Sequence, residues 1–276
     1  MNWWAVDVQA SPGRREALAA WLVAHTGQAV EEREDGTLVS VVPDVTAAEA
    51  LLGSLTEQGT DVRASRRELD TIDWSTGWRY GLAPRSFGPL AVVPSWVAYR
   101  PNPGESVLLL DPETAFGSGE HGSTRAALQL MVESVRTGDS VLDLGSGSGI
   151  LSIAAARLGA ARAVGIELDA EAILVAERNA ERNRVTDRVG FVAGDARLLV
   201  PLLGPADLVV ANILRKVNVE LLPAIRDALK PGGRAIFSGM EEGEAALFRP
   251  ELADGGFREL RATTDAGWWA VAVERP

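Results

Sequence analysis

Between Val141 and Ala156 the chain runs Val-Leu-Asp-Leu-Gly-Ser-Gly-Ser-Gly-Ile-Leu-Ser-Ile-Ala-Ala-Ala. An apolar run ends beside an acid, glycines alternate with serines, and a good helix opening follows. Few folds accommodate that order. It reads as a strand, a tight turn and the start of a helix, the unit that binds nucleotide cofactors at the open edge of an α/β sheet. Glycine takes positive φ at little cost and lets a ligand lie against bare backbone. The first turn of a helix presents unpaired N–H groups.

The details of the loop narrow the cofactor. Dinucleotide loops follow G-x-G-x-x-G, whereas Gly145, Gly147 and Gly149 follow G-x-G-x-G with Asp143 at the strand end. A pyrophosphate there would meet a carboxylate, which disfavours an NAD-dependent oxidoreductase. S-adenosylmethionine carries an ammonium and a sulfonium, and an acid suits it. Arg162–Glu167 then reads as a second strand ending in an acid, and Val189–Asp195 as a third. An acid about 20 residues past the first glycine is where such folds hold a ribose diol, which points to Glu167. Any one of these acids can be a solvated loop residue. Three in order, after three consecutive predicted strands, are hard to obtain by chance.

Composition sets outer bounds. The chain has 276 residues, is 46% hydrophobic and 24% charged, and carries a net charge of −11. No apolar run approaches the roughly 18 residues of a membrane span, and the start Met1-Asn2-Trp3-Trp4 lacks the basic lead of a signal peptide. The expectation is a cytoplasmic protein without a membrane partner. Cysteine is absent, which excludes disulfides, a thiolate nucleophile and the cysteine-bound cluster of radical chemistry. An acidic chain is a poor general binder of nucleic acid, whose phosphates need a basic face. It would attract a basic protein, although many acidic proteins have no such partner. Oligomeric state is not legible.

Residues 1–66 read as a small α+β, ferredoxin-like domain in the order βαββαβ. Trp3–Val8 is the first strand, Ser11-Pro12 opens a helix with one face at Leu18, Trp21, Leu22 and His25, and Asp35-Gly36 suggests a type I′ hairpin turn. Ala48, Leu51, Leu52 and Leu55 give a second helical face, and 61–65 a closing strand. Residues 67–100 are an aromatic linker and lead-in, with Trp74, Trp78 and Trp96, too aromatic for a loose tether. Residues 101–276 carry the α/β pattern. In that part Leu198–Leu203 is expected as a loop, Asp207–Asn212 as a strand buried on both faces, Lys230-Pro231-Gly232-Gly233 as the end of a helix, and Phe257–Thr263 with Trp268–Glu274 as an antiparallel hairpin.

Two further stretches bear on chemistry. Asn212 ends the strand beside the glycine loop, where its amide can accept from an amine and donate elsewhere; the alternative is a cap for the next helix. The segment Asp111–Thr124 is polar and glycine-rich and precedes a helix that Ser123 or Thr124 could cap. Such a loop can close over a cofactor. His121, one of two histidines, is a candidate base with a structural role as the alternative. No clustered ligands suggest a metal.

The phrases Asp111-Pro112…Ala115-Phe116-Gly117-Ser118-Gly119…His121…Ser123-Thr124, Gly145-Ser146-Gly147-Ser148-Gly149-Ile150-Leu151 and Ala211-Asn212-Ile213-Leu214 together resemble the bacterial methyltransferases that act on protein eleven of the large ribosomal subunit. Asp73-Trp74…Trp78-Arg79…Phe87-Gly88…Val93-Pro94-Ser95-Trp96 also fits that family. The resemblance implies a class I S-adenosylmethionine-dependent methyltransferase domain, Rossmann-like with a seven-stranded sheet, behind a substrate-recognition domain. It implies methylation of lysine side chains and an N-terminal amine of protein eleven. It makes Thr124, Gly145, Glu167 and Asn212 cofactor positions, Asn212 also facing the acceptor amine, and sets Asp195 beside the adenine. With Asp143, Gly147 and Gly149 from the loop itself, these form the candidate site. Departures from the family are Ser118, Glu120 and Gly122-Ser123 in the first loop, Ser146 for a frequent Cys and Glu167 for a frequent Asp. Rival readings are an N-methyltransferase of another protein or a small-molecule amine, and a non-catalytic S-adenosylmethionine-binding module.

Overall fold

Strands need alternating apolar faces and helices a stripe of period near 3.6, and both patterns recur in two separate stretches of this chain. The computed structural model describes residues 3–26, 30–33, 35–56, 58, 61–68 and 82–276. By its contacts the chain divides into two units, Met1–Gly77 and Trp78–Pro276.

The first unit has strands β1 (Trp4–Gln9), β2 (Val30–Glu32), β3 (Leu38–Val42) and β4 (Arg63–Glu68), with helices α1 (Arg15–Thr26) and α2 (Val45–Thr56). The sheet order is β2-β3-β1-β4 with antiparallel neighbours, the ferredoxin-like arrangement. Every second residue of β1, Val6 and Val8, meets Leu18 and Leu22 of α1 and Ala48, Leu51 and Leu55 of α2. The hairpin turn differs from the expected type I′. Gly36 takes positive φ (81°) and Asp35 does not, while the Gly36 N–H bonds the Arg33 carbonyl at 2.8 Å. The turn is thus closed by a left-handed glycine, and Asp35 accepts the Thr37 N–H.

The second unit begins with a three-stranded sheet of β5 (Arg85–Phe87), β6 (Leu90–Pro94) and β7 (Ser106–Leu110), so the lead-in supplies two strands. Trp74 and Trp78 lie outside the described residues. A seven-stranded sheet follows: β8 (Ser140–Leu144), β9 (Arg162–Glu167), β10 (Val189–Ala193), β11 (Ala206–Asn212), β12 (Leu229–Glu241), β13 (Arg258–Asp265) and β14 (Trp268–Glu274). Its order is β10-β9-β8-β11-β12-β14-β13. Five strands run parallel and β14 is antiparallel to both of its neighbours. The helices are α3 (Gly122–Ser134), α4 (Ile150–Arg157), α5 (Ala170–Arg182), α6 (Ala196–Leu203), α7 (Arg215–Ala228) and α8 (Ala245–Asp254).

Alternation along the strands builds two cores. Val141, Leu208, Val210 and Ile236 face one layer with α3, α4 and α5. Leu142, Leu144, Val209, Ala211 and Phe237 face the other, with α6, α7 and α8. Central strands buried on both faces read as near-continuous apolar runs, which is why these were visible in the sequence.

Two expectations in this unit are corrected. Residues 198–203 are not a loop but the body of α6: Asp195 caps it by accepting the Arg197 N–H, and Val200 is fully buried. Pro201 lies inside this helix, where a proline removes an N–H donor and crowds the carbonyl four residues before it. Lys230–Gly233 does not end α7, which stops at Ala228. Leu229 pairs with Ala206 and Arg234 with Leu208, so residues 230–233 bulge from β12, tied by Gly232 and Gly233 to Arg275.

Candidate functional site

The chain leaves β8 for β9 and β10 on one side and returns to β11 on the other. That reversal opens a crevice at the carboxyl ends of the strands. A cavity of about 420 Å³ occupies it, within the range of small-molecule sites. Gly145 and Gly147 form one wall, Glu167, Leu168 and Asp195 a second, and Asn212, Ile213 and Leu214 a third, with Phe116 at the rim. A larger, more open cleft of about 770 Å³ lies by Arg85, Arg125, Gln129 and Asp265. Its arginines are already paired, Arg85 with Glu120 and Arg125 with Asp265, so it offers a charged ligand little.

Gly145, Gly147 and Gly149 all take positive φ (72°, 51° and 80°), but they serve different contacts. A Cβ on Gly147 would stand 2.5 Å from the Phe116 carbonyl oxygen, because the Asp111–His121 loop lies on the glycine turn. Ser148 fastens it there, its N–H to Phe116 O at 2.8 Å and its hydroxyl to Gly117 O at 2.6 Å. Gly149 is the N-cap of α4 and does not line the cavity. A Cβ there would meet Phe191 at 2.8 Å and Ala176 at 3.0 Å, so this glycine permits helix–strand packing.

The three acids also divide. Glu167 lines the cavity, accepts the Gly147 N–H at 2.9 Å through Oε2, and accepts Leu168 and Asp169 N–H through Oε1. A carboxylate keeps further lone pairs for hydroxyls. Asp195 lines the cavity too; the hydrogen bonds from Arg197 hold its carboxyl below the usual range. Asp143 faces the helix and not the cavity. Its Oδ2 accepts the Ser152 N–H at 3.0 Å and hydroxyl at 2.7 Å. The glycine N-cap of α4 has no side chain, so Asp143 caps the first turn from the neighbouring strand. Burial, outweighing those two bonds, pushes its carboxyl up to about 6.

Asn212 lines the cavity and gives its Nδ2 to Thr124 Oγ1 at 3.3 Å. Its Oδ1 is buried with no hydrogen-bond partner. It does not cap α7, whose N-cap is Leu214; Asn218 instead binds the Ile213 carbonyl at 3.0 Å. Thr124 is fully buried behind Asn212, inside α3, and neither it nor Ser123 caps that helix. The N-cap position is His121, which does not line the cavity. Its Nδ1 meets the Ser123 hydroxyl at 2.8 Å and its ring packs between Phe116 and Trp268. Burial, then the Arg125 charge, lowers its pKa. The sequence did not single out Leu168, Leu214 or Val217 as cavity walls. Leu168 had a signal in position, directly after an acid at a strand end, and Leu214 two residues past Asn212; Val217 lies further on, in α7.

A family model described as ribosomal protein L11 methyltransferase (PrmA) matches residues 3–276. The ribosomal protein L11 methyltransferase of Desulforapulum autotrophicum is 35% identical over 252 residues, 89% of this chain and 83% of that protein. That of Thermus thermophilus is 39% identical over 208 residues, 75% and 80% of the two chains. The crystal structure of a ribosomal protein L11 methylase from Lactobacillus delbrueckii subsp. bulgaricus superposes with a TM-score of 0.62 at 30% identity, over 70% of this chain and 98% of that one. A sheet reversal that opens beside a three-glycine turn, and a match along nearly the whole sequence, lead to one assignment: the chain belongs to the ribosomal protein L11 methyltransferase family.

Proposed function

We propose that this protein transfers methyl groups from S-adenosylmethionine to lysine side-chain and N-terminal amines of ribosomal protein L11, and that Asn212 orients the acceptor amine. The observation that carries this reading is Asn212, a residue of the cavity wall whose buried Oδ1 has no hydrogen-bond partner. Leaving such an acceptor unmade costs about 1–3 kcal/mol, and an amine N–H repays it. The companion Nδ2 is held by Thr124, which fixes which way the amide points.

The residues fit the cofactor. Glu167, Asp195 and Glu220 line the cavity against one base, Arg197, itself paired with Asp195 and Glu220. That balance suits a cation and opposes a pyrophosphate. Among the lining residues, Glu167 would hold the ribose hydroxyls, Asp195 would take the adenine side, and Gly145 and Gly147 offer bare backbone. When bound, the cofactor supplies an electrophilic methyl on a positively charged sulfur. A free lysine amine has a pKa near 10.4 and is mostly protonated; burial disfavours that charge. Asn212 Oδ1 then accepts an N–H of the neutral amine and leaves its lone pair free. Positioning of this kind supplies up to roughly 7–11 kcal/mol of barrier lowering, so a dedicated base is not required and His121 is left a structural role.

No G-x-G-x-G sequence occurs in residues 1–77, and the first unit serves to recognise the protein substrate. The site of action is the cytoplasm, where ribosomal proteins are made; among the described residues no helix is long and apolar enough to cross a membrane. Mass spectrometry of purified protein eleven after incubation with enzyme and cofactor tests the proposal. Methylated lysines and N-terminus are expected. Asn212→Ala should lower single-turnover methylation about ten- to a hundredfold, the loss of one hydrogen bond to a partly charged amine, while binding the cofactor within a few fold. Absence of methylation by the wild-type protein contradicts the activity, and normal turnover in the variant removes Asn212 from it.

A further inference from the structure

Asn179 of α5 and Asn183, the C-cap of that helix, are buried, with exposures of 0% and 1%. Four residues apart, they share one helix face, and each grips the backbone of the strand beside them. Asn183 Oδ1 accepts the Leu109 N–H at 2.9 Å and its Nδ2 donates to Leu109 O at 2.6 Å. Asn179 Oδ1 accepts the Asp111 N–H at 3.0 Å and its Nδ2 donates to Asp111 O at 3.0 Å. Residues 109 and 111 present the same strand edge, and β7 pairs with β6 on the other. The two amides therefore stand where a further strand would, and satisfy backbone groups that burial would otherwise orphan.

The pair differs in one bond. Asn183 spends its second N–H on its own helix, at Asn179 O. Asn179 spends its second N–H on the Ser148 carbonyl at 3.0 Å, inside the glycine turn. Ser148 in turn fastens the Phe116–Gly117 backbone. A single side chain thus joins the root of the Asp111–His121 loop to the turn on which that loop rests. With Arg182 donating to its Oδ1 at 2.8 Å, every donor and acceptor of the Asn179 amide is used.

We infer that Asn179 is a positioning residue for cofactor binding: it sets the glycine turn and the overlying Phe116 loop in register, whereas Asn183 only secures the fold. The inference rests on the reading of the 145–149 turn as the cofactor site. Aspartate is the matched test at both positions, since it keeps the Oδ1 acceptor and replaces the donating NH₂ with an oxygen facing two carbonyls.

Calorimetric titration with S-adenosylhomocysteine and thermal melts are run on wild type, Asn179→Asp and Asn183→Asp. Both variants should melt earlier. Asn179→Asp should bind about tenfold more weakly or worse, on the loss of two donated hydrogen bonds, and Asn183→Asp within about twofold of wild type by the same reasoning. Equal weakening in both variants, or none in Asn179→Asp, overturns the inference. If wild type itself fails to bind, the site reading fails instead. Hydrogen exchange on the wild-type protein makes the same distinction without a substitution. Binding should slow exchange of the Asp111 amide, held by Asn179, and leave the Leu109 amide, held by Asn183, unchanged. Equal protection of the two, or of neither, contradicts it.

Discussion

Asp143 is fully buried, with Oδ2 bonded to Ser152 and Oδ1 without a partner. Its carboxyl is raised to about 6, first by burial, with the Glu167 charge adding to it, against an unfolded value near 3.9. The sign follows from linkage. Between those two values the folded protein binds more protons than the unfolded chain, so this group's contribution to stability falls as pH rises from about 4 to about 6 and is level above. Asp143→Asn keeps the acceptor for Ser152 and removes the titration. The melting temperature of the variant relative to wild type should therefore climb across that window and then level off. Parallel melting curves from pH 4 to 8 would show that Asp143 does not titrate there. Sequence reading placed this acid beside a ligand because it precedes the glycines; that it turns back to cap α4 depends on a side-chain direction that spacing alone does not set.

At the scale of elements, the strand–turn–helix from Ser140 to Arg157 works because each glycine is needed for a different reason. Gly149→Ala would force a Cβ to 2.8 Å from Phe191 at φ 80°, and should destabilise the fold by about 1–3 kcal/mol through overpacking and strain. Gly147→Val would strike the Phe116 carbonyl, displace the overlying loop, and cost cofactor affinity more than stability. Thermal melts and calorimetric cofactor titration on both variants check this: the larger melting loss belongs to Gly149→Ala and the larger affinity loss to Gly147→Val. The reverse ranking would mean that the two glycines are misassigned. The parallel strands were legible because runs such as Leu208–Ala211 are buried on both faces and end in polar residues. Helix α6 was not, since Pro201 and an exposed Leu198 and Leu202 mask an amphipathic pattern with Val200 inward. Asn179 was missed because one polar residue on an amphipathic helix reads as solvent-facing, although Ala176 and Ala180 beside it are buried. Two asparagines spaced four apart among small residues were the available signal.

At the scale of the whole molecule, the cavity proposed for the cofactor is lined entirely by residues of Trp78–Pro276, and the first unit has its own core of Val6, Leu22, Leu38 and Leu55. A shortened chain beginning at Trp78 should therefore bind S-adenosylhomocysteine like the full chain in calorimetry, while its single-turnover methylation of intact protein eleven falls at least about tenfold with the loss of recognition contacts. Full efficiency on intact protein eleven would remove the recognition role from the first unit. The net charge of −11 fits a basic protein partner and disfavours direct nucleic-acid binding. The central claim is that the cavity where β8, β9, β10 and β11 end holds the cofactor, with Asn212 at its reactive end. A crystal structure of the protein with S-adenosylhomocysteine tests it most directly. The account predicts ligand density against Gly145 and Gly147, hydroxyls on Glu167, and the sulfur nearest Asn212; density anywhere else, or a ligand running the opposite way, would contradict it.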